Sequence, residues 1–362
     1  MRMRGERRKG QAKLVTIVGI SVAVGALLVM AMLPAAASTG RFERQAVLAP
    51  ADPTCFTGDT PRDPGYDPVT HRMYVPNEGY PGKTNGAPNI TVFSGTCNLV
   101  GTISLPSGAI PIQAAFDPED DNMYVTDYGL NQVYDIIGTS IVYTWTNPEG
   151  CNFDGPMGIA YDPETTNMEV VNYLGDDLTD ISPLDGGCGI GATVGTEPTA
   201  ISYDPLENVM LVTNSGSGNV SILNVDIASE IVYGSIAVGA NPHGIAYDPA
   251  GQVELVANTG SNTVSVLTVS RYDCPTCFEV IGTITGFDGP YGVALDQSTL
   301  NVWITNDGNG KVFEVEENDF GAFSIVKKMP TASSSHALGL AYDASNDDMY
   351  VAGFDTNVVY VF

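Results

Sequence analysis

Positive charge is scarce in this 362-residue sequence. It holds 15 Lys and Arg residues against 42 Asp and Glu residues, which gives a formal net charge of −27. Nucleic acids and anionic lipid surfaces repel so acidic a protein, so both are excluded as partners of its folded part. Self-repulsion of this size is best tolerated in high salt or with abundant divalent cations.

Residues that usually carry catalysis are also few. The sequence has three histidines, His71, His243 and His336. It has no glycine-rich phosphate loop, no zinc-ligand spacing, and no nucleophile elbow or paired base. Helical periodicity is absent too, so the regular elements are predicted to be strands. No particular enzyme class is indicated by these features.

One pattern is repeated seven times from about residue 61 to the end of the chain. An acidic residue closes the first strand of every copy, at Asp67, Asp117, Asp162, Asp204, Asp248, Asp296 and Asp343, with spacings of 42 to 50 residues. Each copy contains four short runs rich in Val, Ile, Thr and Tyr between Gly, Asn, Asp and Pro clusters, which are typical of strands and turns. The pattern predicts an all-β, seven-bladed β-propeller.

The recurring Asp is explained by turn formation. Pro follows it in the first five copies, and its carboxylate can accept hydrogen bonds from backbone N–H groups just ahead of it. The Asn that closes several second strands is predicted to occupy a turn position with positive φ. These residues are Asn172, Asn214, Asn258 and Asn306.

The last copy ends at Phe362 after only three strands. Residues 41–48 precede the first copy and have no other partner in the pattern. We predict that this N-terminal segment pairs as the outer strand of the last blade and closes the ring. Closure of this kind protects a strand edge that would otherwise invite aggregation.

The second strands resemble a known repeat. The segments Met123-Tyr124-Val125-Thr126 and Leu211-Val212-Thr213-Asn214 follow Phe/Tyr-Asp-Pro turns and are similar to the YVTN family of β-propeller repeats. The resemblance covers the chain after residue 60 and departs from the repeat at Glu169, Glu254 and Gly353. It implies a surface or surface-layer-associated prokaryotic protein, and many members of that family have no assigned activity.

Residues 1–37 have the composition of a signal peptide or membrane anchor. Six basic residues precede an uncharged apolar run over residues 14–33, and Ala35-Ala36-Ala37 offers a cleavage site before Ser38. The run is long enough to remain as an anchor, and Lys9-Gly10-Gln11 resembles an archaeal prepilin cleavage site. In every case residues 38–362 lie outside the cytoplasm, with a net charge of −32 once residues 1–37 are removed.

All six cysteines follow residue 37, and an even number outside the cytoplasm predicts disulfides. Cys274 and Cys277 share one hairpin loop and are predicted to bridge locally. Two further pairs have similar spacings, but strand direction places their members at opposite faces of a blade, roughly 15–20 Å apart, whereas a disulfide spans Cα atoms within about 7 Å. We therefore expect these pairs only if a long loop reaches along the blade. They are Cys55 with Cys97 and Cys151 with Cys188.

The sequence also contains candidate sites for ion binding and for glycosylation. Acidic turn tips at residues 119–121 and 347–348 could hold Ca²⁺ or another divalent cation weakly, and residues 307–310 resemble part of a Ca²⁺ loop that lacks its bidentate Glu. A solvated acidic surface is the preferred interpretation, so no cofactor is predicted. Asn89 and Asn219 begin sequons and are candidates for glycosylation.

The loops that feed the first strands form one rim of the central channel, where a ligand site is expected. The candidate binding residues of this rim are Gln113, Asp154, Met157, Thr199, His243, Asp288 and Tyr291. Carboxylates and an imidazole around one mouth could bind a cation or activate water. The first strands that start at Pro156, Pro242 and Pro290 are similar to those of virginiamycin B lyase, a metal-dependent propeller. Of that family's site, His243 alone can be carried over.

The sequence is compatible with two functions. Because no catalytic constellation is present, we predict an exported, non-catalytic module that binds a protein or glycan at the cell surface or supports the envelope. Contact with a membrane is expected only through residues 14–33, if they remain attached. The alternative is a metal-assisted lyase or hydrolase at the channel mouth, with His243 as its first candidate residue.

Overall fold

The computed structural model describes residues 54–79, 86–224, 231–270, 277–318, 321–331 and 336–362. The predicted boundary between residues 37 and 38, the apolar run and residues 41–48 lie outside this part of the chain. Within the described ranges, no helix is long and apolar enough to cross a membrane.

The described residues form seven four-stranded antiparallel sheets, the blades of a propeller, and one short 3-10 helix at Asn147–Glu149. The predicted all-β, seven-bladed architecture is confirmed. The strands, in chain order and grouped by blade, have the following bounds: for blade 1, β2 Gly65–Asp67, β3 Arg72–Asn77, β4 Asn89–Ser94 and β5 Asn98–Ser104; for blade 2, β6 Pro111–Asp117, β7 Asn122–Asp127, β8 Gln132–Ile137 and β9 Ser140–Thr146; for blade 3, β10 Pro156–Asp162, β11 Asn167–Asn172, β12 Asp177–Ser182 and β13 Gly187–Thr193; for blade 4, β14 Pro198–Asp204, β15 Val209–Asn214, β16 Asn219–Asn224 and β17 Ile231–Ala237; for blade 5, β18 Pro242–Asp248, β19 Val253–Asn258, β20 Thr263–Ser270 and β21 Cys277–Thr285; for blade 6, β22 Pro290–Leu295, β23 Val302–Asn306, β24 Lys311–Glu317 and β25 Phe323–Pro330; and for blade 7, β26 Ala337–Asp343, β27 Asp348–Gly353, β28 Val358–Val361 and the N-terminal β1 Thr54–Phe56.

An N-terminal strand closes the ring, but it is not the segment predicted. β1 pairs with β28 and is the outer strand of blade 7, so the assignment of residues 41–48 to this position was wrong. Cys55 is the inward residue of β1 and joins a buried cluster shared by blades 7 and 1. Its neighbours Thr54 and Phe56 are exposed. The position is therefore fixed by one buried Cys rather than by a longer apolar pattern.

The hydrophobic core consists of seven clusters, one at each interface between neighbouring blades. In β7, Met123 and Val125 pack against blade 1, whereas Tyr124 packs against blade 3. Successive side chains of a strand point to opposite faces, and here both faces meet another blade. The second strands are consequently buried along their whole length, as β7, β15 and β19 show.

The recurring Asp forms the turn that the sequence predicts. In all seven copies its Oδ1 accepts a hydrogen bond from the backbone N–H two residues ahead, at 2.8–2.9 Å. These seven aspartates are buried. Their recurrence reflects the turn between the first and second strands, so it is not evidence for a binding site.

The Asn that closes the second strand has a different role from the one predicted. Positive φ occurs four residues further on, at Asp176, Gly218, Asn262 and Gly310, and not at the Asn itself. In three blades the Asn Nδ2 instead donates to a hydroxyl group seven residues ahead, at 2.9–3.0 Å. Because these Asn residues are fully buried, the bond ties the second strand to the third.

Both disulfides that strand direction argued against are present. Cys55–Cys97 and Cys151–Cys188 each have a Cα–Cα distance of 5.0 Å. For Cys55–Cys97 the expectation was wrong because it placed Cys55 in a loop before the first strand of blade 1, whereas Cys151–Cys188 meets the stated condition of a loop that reaches along the blade. Cys55 lies instead in β1, at the outer edge of blade 7, and Cys97 lies in the β4–β5 turn of blade 1 that packs beside it.

The second bridge depends on a loop that reaches along its blade. Asn147 closes the base of this loop, since its side chain accepts from the Phe153 N–H at 2.7 Å and donates to the Phe153 carbonyl at 2.9 Å. Cys151 lies within the loop and is buried against blade 3. Cys274 and the side chain of Cys277 fall outside the described part, so their bridge stays a prediction. Two disulfides are compatible with an extracellular protein.

Candidate functional site at the channel mouth

A cavity of about 90 Å³ lies at the mouth of the central channel. It is enclosed by the starts of the first strands, and all seven blades contribute to its wall. Blades 1 to 7 contribute, in this order, Asp63, Gln113, Met157, Thr199, His243, Tyr291 and Gly339. The repeat therefore builds a ring of unlike side chains from equivalent places in seven copies.

Five of the seven candidate rim residues lie in this wall. They are Gln113, Met157, Thr199, His243 and Tyr291. Asp154 and Asp288 are exposed and are not among the lining residues. Their backbone groups anchor turns, because each N–H donates to the Asn that closes the second strand of the same blade, at 3.2 and 3.0 Å.

Two of the five lining residues are used to join blades. The Gln113 Oε1 accepts from the Ile159 N–H of blade 3 at 3.1 Å. The Thr199 hydroxyl donates to the Pro242 carbonyl of blade 5 at 3.1 Å. These contacts hold the wall rigid and leave Met157, His243 and Tyr291 as the side chains with surface to offer a ligand.

His243 and Tyr291 form an aromatic pair in the wall. Their rings stack with centroids 4.5 Å apart and planes 24° apart. Burial lowers the pKa of His243 to about 4, and burial likewise raises the pKa of Tyr291. Both rings are therefore uncharged at neutral pH and present a flat, neutral surface to the cavity.

Asp63 completes the wall and was missed from the sequence. Its carboxyl group lies against the Cα of Gly339, where a Cβ would collide with it. Its Oδ1 is buried and has no hydrogen-bond partner among the described residues. Burial raises the pKa of Asp63 to about 6, although the nearby Arg62 lowers it. Asp63 stands four residues before Asp67, as Gln113 stands before Asp117, and that register was the available signal.

A second pocket of about 300 Å³ adjoins the cavity and shares Tyr291 with it. On its wall Arg62 pairs with Glu78 and lies 4.7 Å from the centre of the Phe354 ring. His336 lies between two carboxylates, with Nδ1 at 2.5 Å from Asp307 and Nε2 at 3.4 Å from Asp355. The hydrogen bond with Asp307 raises the pKa of His336.

The predicted ion-binding and glycosylation sites on the surface stay predictions. In the acidic tip at residues 119–121, Asp120 accepts hydrogen bonds from the Tyr124 hydroxyl and the Asn122 amide, at 2.8 and 3.0 Å. Within the described ranges, no three His, Cys, Asp or Glu residues are grouped so that they could hold a metal ion. The two sequon residues, Asn89 and Asn219, each begin the third strand of a blade.

Buried threonines in the second strands position the wall. The Thr213 hydroxyl accepts from the Ala200 N–H of its own blade at 3.1 Å and donates to the His243 carbonyl of the next blade at 2.6 Å. Thr126 makes the same pair of bonds, to Gln113 and Met157. The threonine of the repeat thus joins two first strands at the level of the cavity.

We expect Thr213→Val to lower the free energy of unfolding by about 2–3 kcal/mol, because it leaves a buried N–H and a buried carbonyl without partners. Valine nearly matches threonine in shape, so the substitution mainly removes the hydroxyl group. Urea denaturation measures the loss. Thr283→Val on the exposed outer strand β21 is the control and should change stability by no more than about 0.5 kcal/mol. An equal effect of the two substitutions contradicts the role given to Thr213.

Comparison with solved structures places the fold among known proteins. No protein-family model and no curated protein matches the sequence, so the likeness to the YVTN repeat stays a prediction. Among solved structures, a catalytically inactive virginiamycin B lyase from Staphylococcus aureus with quinupristin is similar at a TM-score of 0.67 and 14% identity, over 84% of this chain and 95% of that one.

Two further structures show the same likeness. A streptogramin B lyase has a TM-score of 0.66 at 12% identity, over 87% of this chain and 95% of that one. A functionally unknown protein from Desulfotomaculum acetoxidans has a TM-score of 0.60 at 16% identity, over 75% of this chain and 91% of that one. At these identities the likeness shows the propeller fold alone.

Proposed function

We propose that the protein is an exported cell-surface propeller that binds a protein or glycan ligand at the mouth of its central channel and catalyses no reaction on it. The observation that carries this proposal is the cavity itself. All seven blades build it, a neutral aromatic pair forms part of its wall, and one buried carboxyl oxygen has no partner among the described residues. Concave sites that combine aromatic surface with polar groups able to orient a ligand are typical of ligand binding.

Rigidity of the wall supports a binding role. The backbone on either side of the cavity is fixed by bonds between blades, from Gln113, Thr199 and Thr213. A site that is already ordered loses little conformational entropy when a ligand enters. Export is supported by the two disulfides and by the targeting composition of residues 1–37.

The alternative, a metal-assisted lyase or hydrolase, is less well supported. The structural neighbours that are lyases share only 12–14% identity with this chain. A general base works best with a pKa near the working pH, whereas burial holds the pKa of His243 at about 4. His243 is therefore a weak base, and its stacked ring suits contact with a ligand better than proton transfer.

We expect Tyr291→Ala and His243→Ala each to weaken ligand binding at least about tenfold, or about 1.4 kcal/mol, because each removes half of the stacked surface. Ligands are first selected by screening oligosaccharides and peptides against the wild-type protein, and affinities are measured by calorimetry. Leu206→Ala is the control, since Leu206 is exposed in the turn after β14, at the far end of that strand from the cavity. Turnover of a selected ligand that is lost in His243→Ala would establish the lyase or hydrolase instead.

A further inference from the structure

We propose that the channel cavity receives an alkylammonium group, the side chain of a lysine on a protein partner, with Asp63 as its counter-ion. This inference rests on the proposed binding function and names the chemistry of its ligand. Four features of the mouth carry it: a carboxyl oxygen without a donor among the described residues, a neutral aromatic surface, an excess of negative charge and the size of the cavity.

The first feature is the unpaired carboxyl oxygen. Oδ1 of Asp63 is buried without a hydrogen-bond partner among the described residues. The charge of the nearby Arg62 lowers the pKa of Asp63, but Arg62 pairs with Glu78, lies over Phe354 and gives no hydrogen bond to this oxygen. A buried carboxylate is costly unless a donor or a positive charge reaches it. A ligand is the remaining source of a hydrogen-bond donor and would add to the positive charge of Arg62.

The second feature is the aromatic pair beside that carboxyl group. An ammonium group is attracted to the face of an aromatic ring, and more strongly where water is excluded. Tyr291 lies close enough to Asp63 for the two to interact electrostatically, and it stacks on His243. Because His243 is uncharged at neutral pH, it does not repel a cation.

The third feature is the charge of the surrounding mouth. The two pockets have four carboxylates in their walls or paired with a wall residue: Asp63, Glu78, Asp307 and Asp355. The positive charges there are those of Arg62 and, when it is protonated, His336. An excess of negative charge in a cleft concentrates cations and excludes anions. A phosphate or carboxylate end group is therefore a poor fit.

The fourth feature is size. A cavity of about 150 Å³ holds a benzene molecule, so the 90 Å³ here suits a chain of about four or five non-hydrogen atoms. That is the length of a lysine side chain beyond its Cβ, and the volume is too small to enclose a sugar ring. A hard metal ion is also disfavoured, because it needs several oxygen ligands and the Gln113 oxygen already accepts from Ile159.

Calorimetric titration of the exported protein with Nα-acetyl-lysine amide, its neutral isostere Nα-acetyl-norleucine amide and glucosamine tests the inference. We expect the lysine probe to bind at least tenfold more tightly than the norleucine probe. Asp63→Asn should abolish this preference, whereas Asp185→Asn, at an exposed turn of blade 3, should leave it unchanged. Circular dichroism and unchanged thermal melting establish that each variant is folded.

The pH profile of the wild-type protein gives a second readout that does not depend on a variant. Binding of the lysine probe should weaken as pH falls through about 6, where Asp63 becomes protonated. The charged groups that face Asp63 are Arg62 and Glu78; Tyr291 is neutral throughout this range, and its pKa is raised. Binding of the norleucine probe should not change with pH.

The outcomes separate this inference from the proposed function. Equal affinities for the lysine and norleucine probes, or an unchanged preference in Asp63→Asn, overturn the ammonium site. If peptides or oligosaccharides still bind and His243→Ala still weakens them, the binding function stands. Tighter binding of glucosamine than of the lysine probe assigns the site to an amino sugar and contradicts the lysine proposal. Failure of every probe and every screened ligand contradicts both.

Discussion

Replacing Cys55 and Cys97 together by alanine should lower the free energy of unfolding by about 4 kcal/mol, the chain entropy that a cross-link spanning 42 residues removes from the unfolded state. The substitution should also loosen the closure of the ring. β1 contributes only three residues, and its hold on β28 consists of three residue pairs. Without the bridge, the edge of β28 becomes available for pairing with another chain.

The second disulfide is a matched control. Cys151 and Cys188 are separated by 37 residues, so the same entropy argument gives nearly the same loss, about 4 kcal/mol. Cys151 lies in a loop between blades and holds no closing strand. Guanidinium unfolding with light scattering compares the two double variants. We expect similar losses of stability but association only for the first. Identical behaviour of both variants contradicts the closing role of Cys55–Cys97.

Glu254→Met should raise the stability of the protein by about 1–3 kcal/mol at neutral pH, the cost of burying a polar group without a partner. Glu254 is completely buried, and neither carboxyl oxygen makes a hydrogen bond among the described residues. Its place in the second strand is that of Met123 and Met210 in other blades. Methionine therefore fits the interface between blades 4 and 5, where it adds apolar contact.

The gain should depend on pH in a defined direction. Burial raises the pKa of Glu254 well above its usual value, and the charge of Asp204 adds a smaller increase. The nearby Ser202 hydroxyl offsets part of this increase. It is not placed to form a hydrogen bond with either carboxyl oxygen. The unfolded carboxyl titrates near about pH 4.3. Below that pH the folded protein bears no ionisation penalty at this site, and the penalty grows as pH rises toward the folded pKa.

The advantage of Glu254→Met over the wild type should therefore be small at pH 4 and larger at pH 8. Urea denaturation at both values measures it, with Glu279→Gln on the exposed face of β21 as a control that should have little effect. A pH-independent difference would show that Glu254 does not stay protonated in the folded protein. Destabilisation by Met would show that the interface cannot accept it.

The sequence predicts the repeat, the turns and the blades because each of these depends on local chemistry. The Asp that closes each first strand forms its turn with residues only two positions away. The run from Met123 to Thr126 is a short, unbroken series of apolar and β-branched residues, which is typical of a strand buried on both faces. Such features do not depend on how distant segments meet.

The features that were missed depend on how distant segments meet. The three residues of β1 are too few to show a pattern, and their place is set by contact with Val359 and Cys97. The loop that brings Cys151 to Cys188 is closed by side-chain bonds of Asn147. Asp63 was overlooked because Arg62 before it stands where the other blades have Pro, Ile or Leu, so this segment does not look like the start of a first strand.

Photo-crosslinking from the channel mouth on the intact cell surface tests the central claim most directly. A benzoylphenylalanine at Met157, which lines the cavity without serving as the proposed counter-ion, is compared with one at Leu206. The two sites lie near opposite ends of their first strands, about 20 Å apart along a seven-residue strand. We predict a discrete adduct from position 157 that an excess of the screened ligand removes, and none from position 206. An adduct from position 206 alone would place the partner on the opposite face and contradict a ligand site at the channel mouth.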